Sequence, residues 1–203
     1  MSKVLVLYYS AFGYVAVMAR SIADGARSTG AAVDIKRVAD KAARTAADRG
    51  TLFNAGKDVP VAVVEDLASY DAIIVGSPTR FGRLSSPIAG FLEQASELAN
   101  RGVLEGKVGG AFASPTSQYG GQESASMSII TNLLYFGMVV VGPPYSATTV
   151  ADSTGQRHPS PLDLEGARRL GRLIALTTEK LAGRDVSGVA EIESSTESAA
   201  TTP

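Results

Sequence analysis

The chain has 203 residues, 45% hydrophobic and 19% charged, enough for one domain with a buried core and too apolar for a disordered chain. Its 19 basic and 20 acidic residues leave a formal charge of -1, which argues against a dedicated nucleic-acid binder and against a strongly acidic electron carrier. There is no cysteine and His158 is the single histidine, so disulfides, thiolate nucleophiles, iron–sulfur clusters and zinc–cysteine or multi-histidine sites are excluded, and no metal is expected.

In chain order, Val4 to Tyr9 is a near-continuous run of β-formers and predicts a strand buried on both faces. The same run meets Ser10 and Gly13 too early for a signal peptide or a membrane span, so a cytoplasmic address is expected. Val15, Met18, Ala19, Ile22 and Ala26 recur at helical spacing until Gly30, and Ala32 to Val38 predicts a second strand. The stretch from Ala39 to Val64 has weak periodicity and reads as a broken helix and loop. Ala72 to Gly76 predicts a third strand. Ser86 as cap and Pro87 as first helical residue then open a helix whose inner face is Ile88, Phe91, Leu92 and Ala95.

Val108 to Ala113 predicts a fourth strand, a helix through Ile129 and Leu133 follows, and Met138 to Val141 predicts a fifth. Ser160-Pro161-Leu162-Asp163 is a capping box for a last helix that buries Ala167, Leu170, Ile174 and Leu181. Residues 183–203 lack periodicity and are expected to be a disordered tail, leaving residues 1–182 as the domain. Strands alternating with helices at this rhythm predict an α/β fold, a doubly wound parallel sheet of five strands with helices on both faces.

Ligands of such sheets bind beyond the carboxyl ends of the strands, so the loops that leave those ends carry the functional signal. After strand 1, Tyr9-Ser10-Ala11-Phe12-Gly13-Tyr14-Val15 offers backbone amides at a helix N-terminus. It contains no lysine and no GxxxxGK[ST], which excludes an NTP-type P-loop and suits a phosphate monoester held by amides. After strand 3, Ser77-Pro78-Thr79-Arg80-Phe81-Gly82 brings a hydroxyl, a cation and an aromatic ring able to cover a flat ligand. After strand 4, Ser114 to Gln122 is rich in Ser, Thr, Gln and Gly and suits a polar ring edge. Together the three loops point to one planar, phosphorylated ligand. A metal-dependent receiver module would need carboxylates where Ser10 and Ser77 stand. His158 and the Arg168, Arg169 and Arg172 cluster read as solvated surface.

The segments KVLVLYYSAFG, YDAIIVGSPTRFG, FASPTSQYGGQES and FGMVVVGPPY resemble the WrbA family of NAD(P)H:quinone oxidoreductases, over the span from Lys3 to Leu181. The resemblance implies a flavodoxin-like fold, FMN as cofactor, NAD(P)H as electron donor, a quinone or related aromatic as acceptor, and a homo-oligomer, dimer or tetramer. It assigns the flavin phosphate to Ser10, Phe12, Gly13, Tyr14 and Val15. The ring falls to Pro78, Thr79, Arg80, Phe81 and Gly82, with Ser114, Pro115, Thr116, Gln118, Tyr119 and Gly120 at its other edge. No side chain is assigned a catalytic proton, because the flavin carries the chemistry. The chain departs from the family where Tyr14 replaces a His. Phe136 and Ala99 stand at pocket positions usually held by His and Trp, and the segment after strand 5 is short. Two other readings stay open on the residues: a flavin enzyme for one aromatic or quinonoid metabolite, and a flavin electron carrier without its own substrate.

Overall fold

Six residues free of breakers and almost free of charge, KVLVLY, form the first strand, β1 (Lys3–Tyr8), and all but Lys3 are buried. The computed structural model describes residues 1–39, 56, 58–142, 147–152 and 157–182. Four further strands follow: β2 (Ala32–Arg37), β3 (Ala72–Pro78), β4 (Val108–Ser114) and β5 (Val139–Val140). They form one parallel sheet in the order β2-β1-β3-β4-β5. Among the described residues the α-helices are α1 (Tyr14–Arg27), α2 (Ser86–Glu93), α3 (Ser96–Asn100), α4 (Gln122–Tyr135) and α5 (Pro161–Ala182). The predicted doubly wound sheet is therefore the observed one.

The alternation of side chains along each strand divides the core between two faces. Val4, Val6, Ile74 and Phe112 pack with α1 and α5 on one face. Leu5, Leu7, Ile73 and Val75 pack with α2 and α4 on the other. Helices α1 and α5 approach so closely that a Cβ added to Gly171 would lie 1.9 Å from the Ile22 carbonyl oxygen, and one on Gly25 would lie 2.0 Å from that of Arg168. The capping box of α5 forms as its sequence predicts: the Ser160 amide donates to Asp163 Oδ2 at 2.9 Å and the Asp163 amide to Ser160 Oγ at 3.1 Å.

Some boundaries differ from the sequence expectation. Strand β5 is two residues rather than four, because Gly142 adopts φ 107 and turns the chain away just after the Val141 amide bonds the Gly109 carbonyl. Helix α2 takes Ser85 as its cap residue rather than Ser86, with Pro87 in its first turn. Ser85 makes no side-chain cap bond; its amide donates to Ser77 Oγ at 2.8 Å and the two hydroxyls lie 3.0 Å apart, which ties the start of α2 to the end of β3. Leu181 is half-buried, at the last turn of α5, where the helix runs past the sheet. Of the expected broken helix and loop, residues 40–55 and 57 lie outside the described residues, as does the expected tail, 183–203. Val64–Ser69 forms a short 3-10 turn ahead of β3.

The strand order reverses between β1 and β3, because β1 is followed in sequence by β2 on one side and β3 lies on its other. The crevice at that switch point opens at the carboxyl edge. The loops after β1 and β3 flank it.

Candidate active site at the carboxyl edge of the sheet

The loop after β1 ends at Gly13, whose φ of 93 lies in the left-handed region and lets the chain turn abruptly into α1. The Gly13 amide donates to Ser10 Oγ at 3.0 Å, and the first intrahelical bond runs from the Val17 amide to the Gly13 carbonyl. The amides of Tyr14, Val15 and Ala16 therefore have no acceptor in the helix. No acidic residue lies in that first turn, so the positive end of the dipole is not neutralised there.

The loop after β3 is anchored to β4 by the Thr79 amide, which donates to the Ser114 carbonyl at 3.0 Å. Beyond it Arg80 and Arg83 exchange backbone bonds of 2.9 and 3.1 Å, closing a two-residue turn in which Phe81 has φ 51 and Gly82 has φ 76. Left-handed backbone is costly for a bulky aromatic residue, and Phe81 is 100% exposed, so nothing in its packing offsets the strain. Thr79 Oγ1, by contrast, is buried without any hydrogen-bond partner.

The loop after β4 meets the β3 loop directly: a Cβ on Gly121 would lie 3.0 Å from the Gly82 Cα. Ser114 Oγ donates to the Thr149 carbonyl at 2.8 Å and the Ala151 amide to the Pro115 carbonyl at 2.7 Å, which draws residues 147–152 alongside the loop. Tyr119 stands 93% exposed, and Gln122 Oε1 is buried without a partner.

These loops line a narrow cleft of about 20 Å3, open to solvent on one side. Phe12, Tyr14, Val15, Pro78, Thr79, Arg80, Ser114 and Thr116, all expected from the sequence, form most of its wall. Ser10, Gly13, Phe81, Gly82, Pro115, Gln118, Tyr119 and Gly120 stand in the same three loops but outside that wall. Ala11 and Ala151 complete it and were not expected. Ala11 could have been inferred from its loop; Ala151 could not, because the parallel bridge Ala113↔Thr148 brings it in.

The Tyr14 side chain is engaged by a neighbouring segment. Its ring is buried, and its hydroxyl donates to Asp152 Oδ1 at 3.0 Å while accepting from the Asp152 amide at 3.3 Å. Burial, with the Asp152 carboxylate, raises its pKa. The Tyr14 side chain thus fastens residues 151–152 to α1, and the backbone amide is what it offers an anion.

Phe136 and Ala99 stand apart from the cleft. Phe136 follows the C-terminus of α4, just before β5, and Ala99 lies in α3, ahead of β4. Both belong to the amino-terminal edge of the sheet, packed into the α2–α4 face of the core. The 14 residues of α4 separate Phe136 from the loop after β4 by about 21 Å at 1.5 Å per residue. Within one chain they are not part of the cleft.

A sequence model of the NADPH-dependent FMN reductases matches residues 2–152. The chain belongs to that family. A relative from Cupriavidus metallidurans, named NAD(P)H dehydrogenase (quinone), is 54% identical over 200 residues, covering 90% of this chain and 100% of the relative. One of the same name from Acidovorax ebreus is 52% identical over the same shares. Among solved structures, a flavodoxin, WrbA-like protein from Agrobacterium tumefaciens has a TM-score of 0.67 at 23% identity, covering 89% of this chain and 99% of its own. A flavodoxin from the domain Archaea has a TM-score of 0.64 at 25% identity, covering 87% and 99%. The family resemblance and the flavodoxin-like fold read from the sequence are both borne out.

The cleft of this FMN reductase family member suits FMN by its own chemistry. Three helix-terminal amides with no acid in their own turn fit a phosphate monoester, and the orphaned Thr79 hydroxyl fits a polar ring system. No helix among the described residues is long and apolar enough to cross a membrane, and no cluster of three or more metal-ligating side chains occurs among them.

Proposed function

We propose that this chain is an FMN-dependent oxidoreductase that moves two electrons from NAD(P)H to a quinone. The observation that carries the reading is the buried, partnerless Thr79 Oγ1 in a cleft that the first turn of α1 closes with open amides. A buried hydroxyl without a partner costs about 1–3 kcal/mol, a cost that a polar ligand would remove. The amides of Tyr14, Val15 and Ala16 would hold the phosphate, and the hydroxyl of Thr79 would orient the ring. Phe81 would cover the ring and exclude water from one side. FMN, when bound, supplies the redox chemistry itself.

The relatives at 54% and 52% identity, both named NAD(P)H dehydrogenase (quinone), support the donor and acceptor. The near-neutral charge fits small-molecule substrates, with no nucleic acid among the partners, and the cytoplasm is the proposed location. A homo-oligomer, dimer or tetramer, is also proposed. A role for Phe136 and Ala99 at the substrate would require one, since only another copy could bring the amino-terminal edge near the cleft. The test is a visible absorption spectrum of the purified protein. Flavin bands that bleach on adding NAD(P)H and return on adding benzoquinone are the expected result. Failure to bind FMN overturns the reading.

A further inference from the structure

The turn after β3 separates the flavin cleft from a second, larger cavity. That cavity measures about 810 Å3, within the range of sites for sizeable small molecules. Val38, Ala62, Val64, Leu84 and Phe91 give it an apolar wall, and Arg80 and Arg83 stand at its border. Arg80 is the lining residue that the two spaces share.

The two arginines are placed in a way that their own stability does not explain. They form a hydrogen-bonded antiparallel pair, 2.9 and 3.1 Å, which sets both side chains on one face of the turn. Like charges directly opposite each other are destabilising, and neither arginine has an ion pair among the described residues. The turn that holds them also keeps Phe81 in the left-handed region. Glu65 is the one carboxylate among the described residues lining the cavity, and it is exposed. Two adjacent guanidinium forks beside an apolar cavity match a diphosphate joined to an aromatic base, since each fork binds anionic oxygens through paired N–H donors.

We propose that Arg83, together with Arg80, clamps the diphosphate of the nicotinamide dinucleotide, with the adenosine half lodged in the cavity beside it. The inference rests on the proposed function, and adds where the donor's non-reacting half is held. The diphosphate and the adenine are common to NADH and NADPH, so this clamp serves both donors alike. Arg83 meets Arg80 of the cleft wall through backbone bonds, which Arg83→Ser keeps, and it is exposed, so the substitution leaves the fold and the flavin loops intact.

The test pairs binding with kinetics. Titration of the flavin-free protein with ADP by calorimetry is expected to show saturable binding, at least tenfold weaker in Arg83→Ser and partly restored in Arg83→Lys. Adenosine is expected to bind both proteins equally. In the FMN-loaded protein, Arg83→Ser is expected to raise KM for NADH and NADPH together by about tenfold, with KM for benzoquinone unchanged; Arg169→Ser on α5 is the control. ADP that does not bind, or that binds Arg83→Ser as well as the parent, overturns the clamp. A parent protein that oxidises NAD(P)H while Arg83→Ser shows the same donor KM also overturns it and leaves the proposed function standing. A loaded parent protein that oxidises no NAD(P)H defeats the proposed function, and the ADP titration still decides the clamp.

Discussion

The face where α1 packs on α5 and the edge where three loops meet are built on opposite terms. On the helical face, Gly25 and Gly171 let two backbones approach within what would be 2.0 Å of an added Cβ, and Met18, Ile22 and Ile174 are fully buried. At the carboxyl edge, a threonine hydroxyl and a glutamine carbonyl are buried unpaired, a phenylalanine sits in left-handed backbone, and Phe81 and Tyr119 are almost wholly exposed. Close packing on one side stabilises the domain; unmet hydrogen bonds and strain on the other are what a ligand can relieve. Close packing and unmet hydrogen bonds thus occupy different parts of the same sheet.

The contrast breaks if crowding the helical face proves harmless. Gly171→Val forces the α1 and α5 backbones apart and is expected to lower unfolding free energy by about 3 kcal/mol, read as a drop in the urea midpoint. The molecules that remain folded should still bind FMN with parent affinity, because no flavin loop is touched. An unchanged midpoint would mean the close approach is not tight in solution.

The next effect lies in Tyr8, the one buried hydroxyl on the packed face that lacks a partner among the described residues of β1, α1 and α5. Burial pushes its pKa up to about 12, against the pull of Arg20 and Arg37 and with a small further rise from Asp58. The folded state therefore favours the neutral phenol. This contribution is whole below pH 10, where the unfolded tyrosine is also neutral, and is lost as pH climbs towards 12, on the order of 2 kcal/mol. Urea midpoints measured from pH 8 to 12 should fall over that window. Tyr8→Phe should flatten the profile and add about 1 kcal/mol at neutral pH by removing the orphaned hydroxyl.

Two smaller changes sharpen the view of the edge. Thr79→Val should weaken FMN binding about tenfold, equivalent to about 1.4 kcal/mol, while leaving the flavin-free protein as stable as before or more so. A variant that binds FMN normally would show that the hydroxyl does not face the ligand. Phe81→Asn replaces an aromatic with a residue that tolerates positive φ, and should raise the midpoint of the flavin-free protein by about 0.5–1 kcal/mol. No gain would mean that the turn stores no strain.

Among the described residues, all five strands, helices α1, α2, α4 and α5, the parallel sheet and the three loops at its edge are legible in the chain. Those features rest on local signals: buried β-runs, helical spacing of Val15, Met18 and Ile22, the Ser160–Asp163 capping box, and Pro and Gly at turns. It also marked the Ser10–Val15, Pro78–Gly82 and Ser114–Gly120 segments, since loops leaving carboxyl strand ends follow from strand order alone. The tertiary structure alone decided that Tyr14 turns away to Asp152, that Ala151 closes the cleft, and that Phe136 and Ala99 lie at the far edge. It alone set Arg80 opposite Arg83 and left Thr79 Oγ1 without a partner. Periodicity reports which face of an element is buried; it carries no record of which distant residue arrives there, because a contact such as Tyr14 with Asp152, 138 positions apart, is settled by how the layers pack.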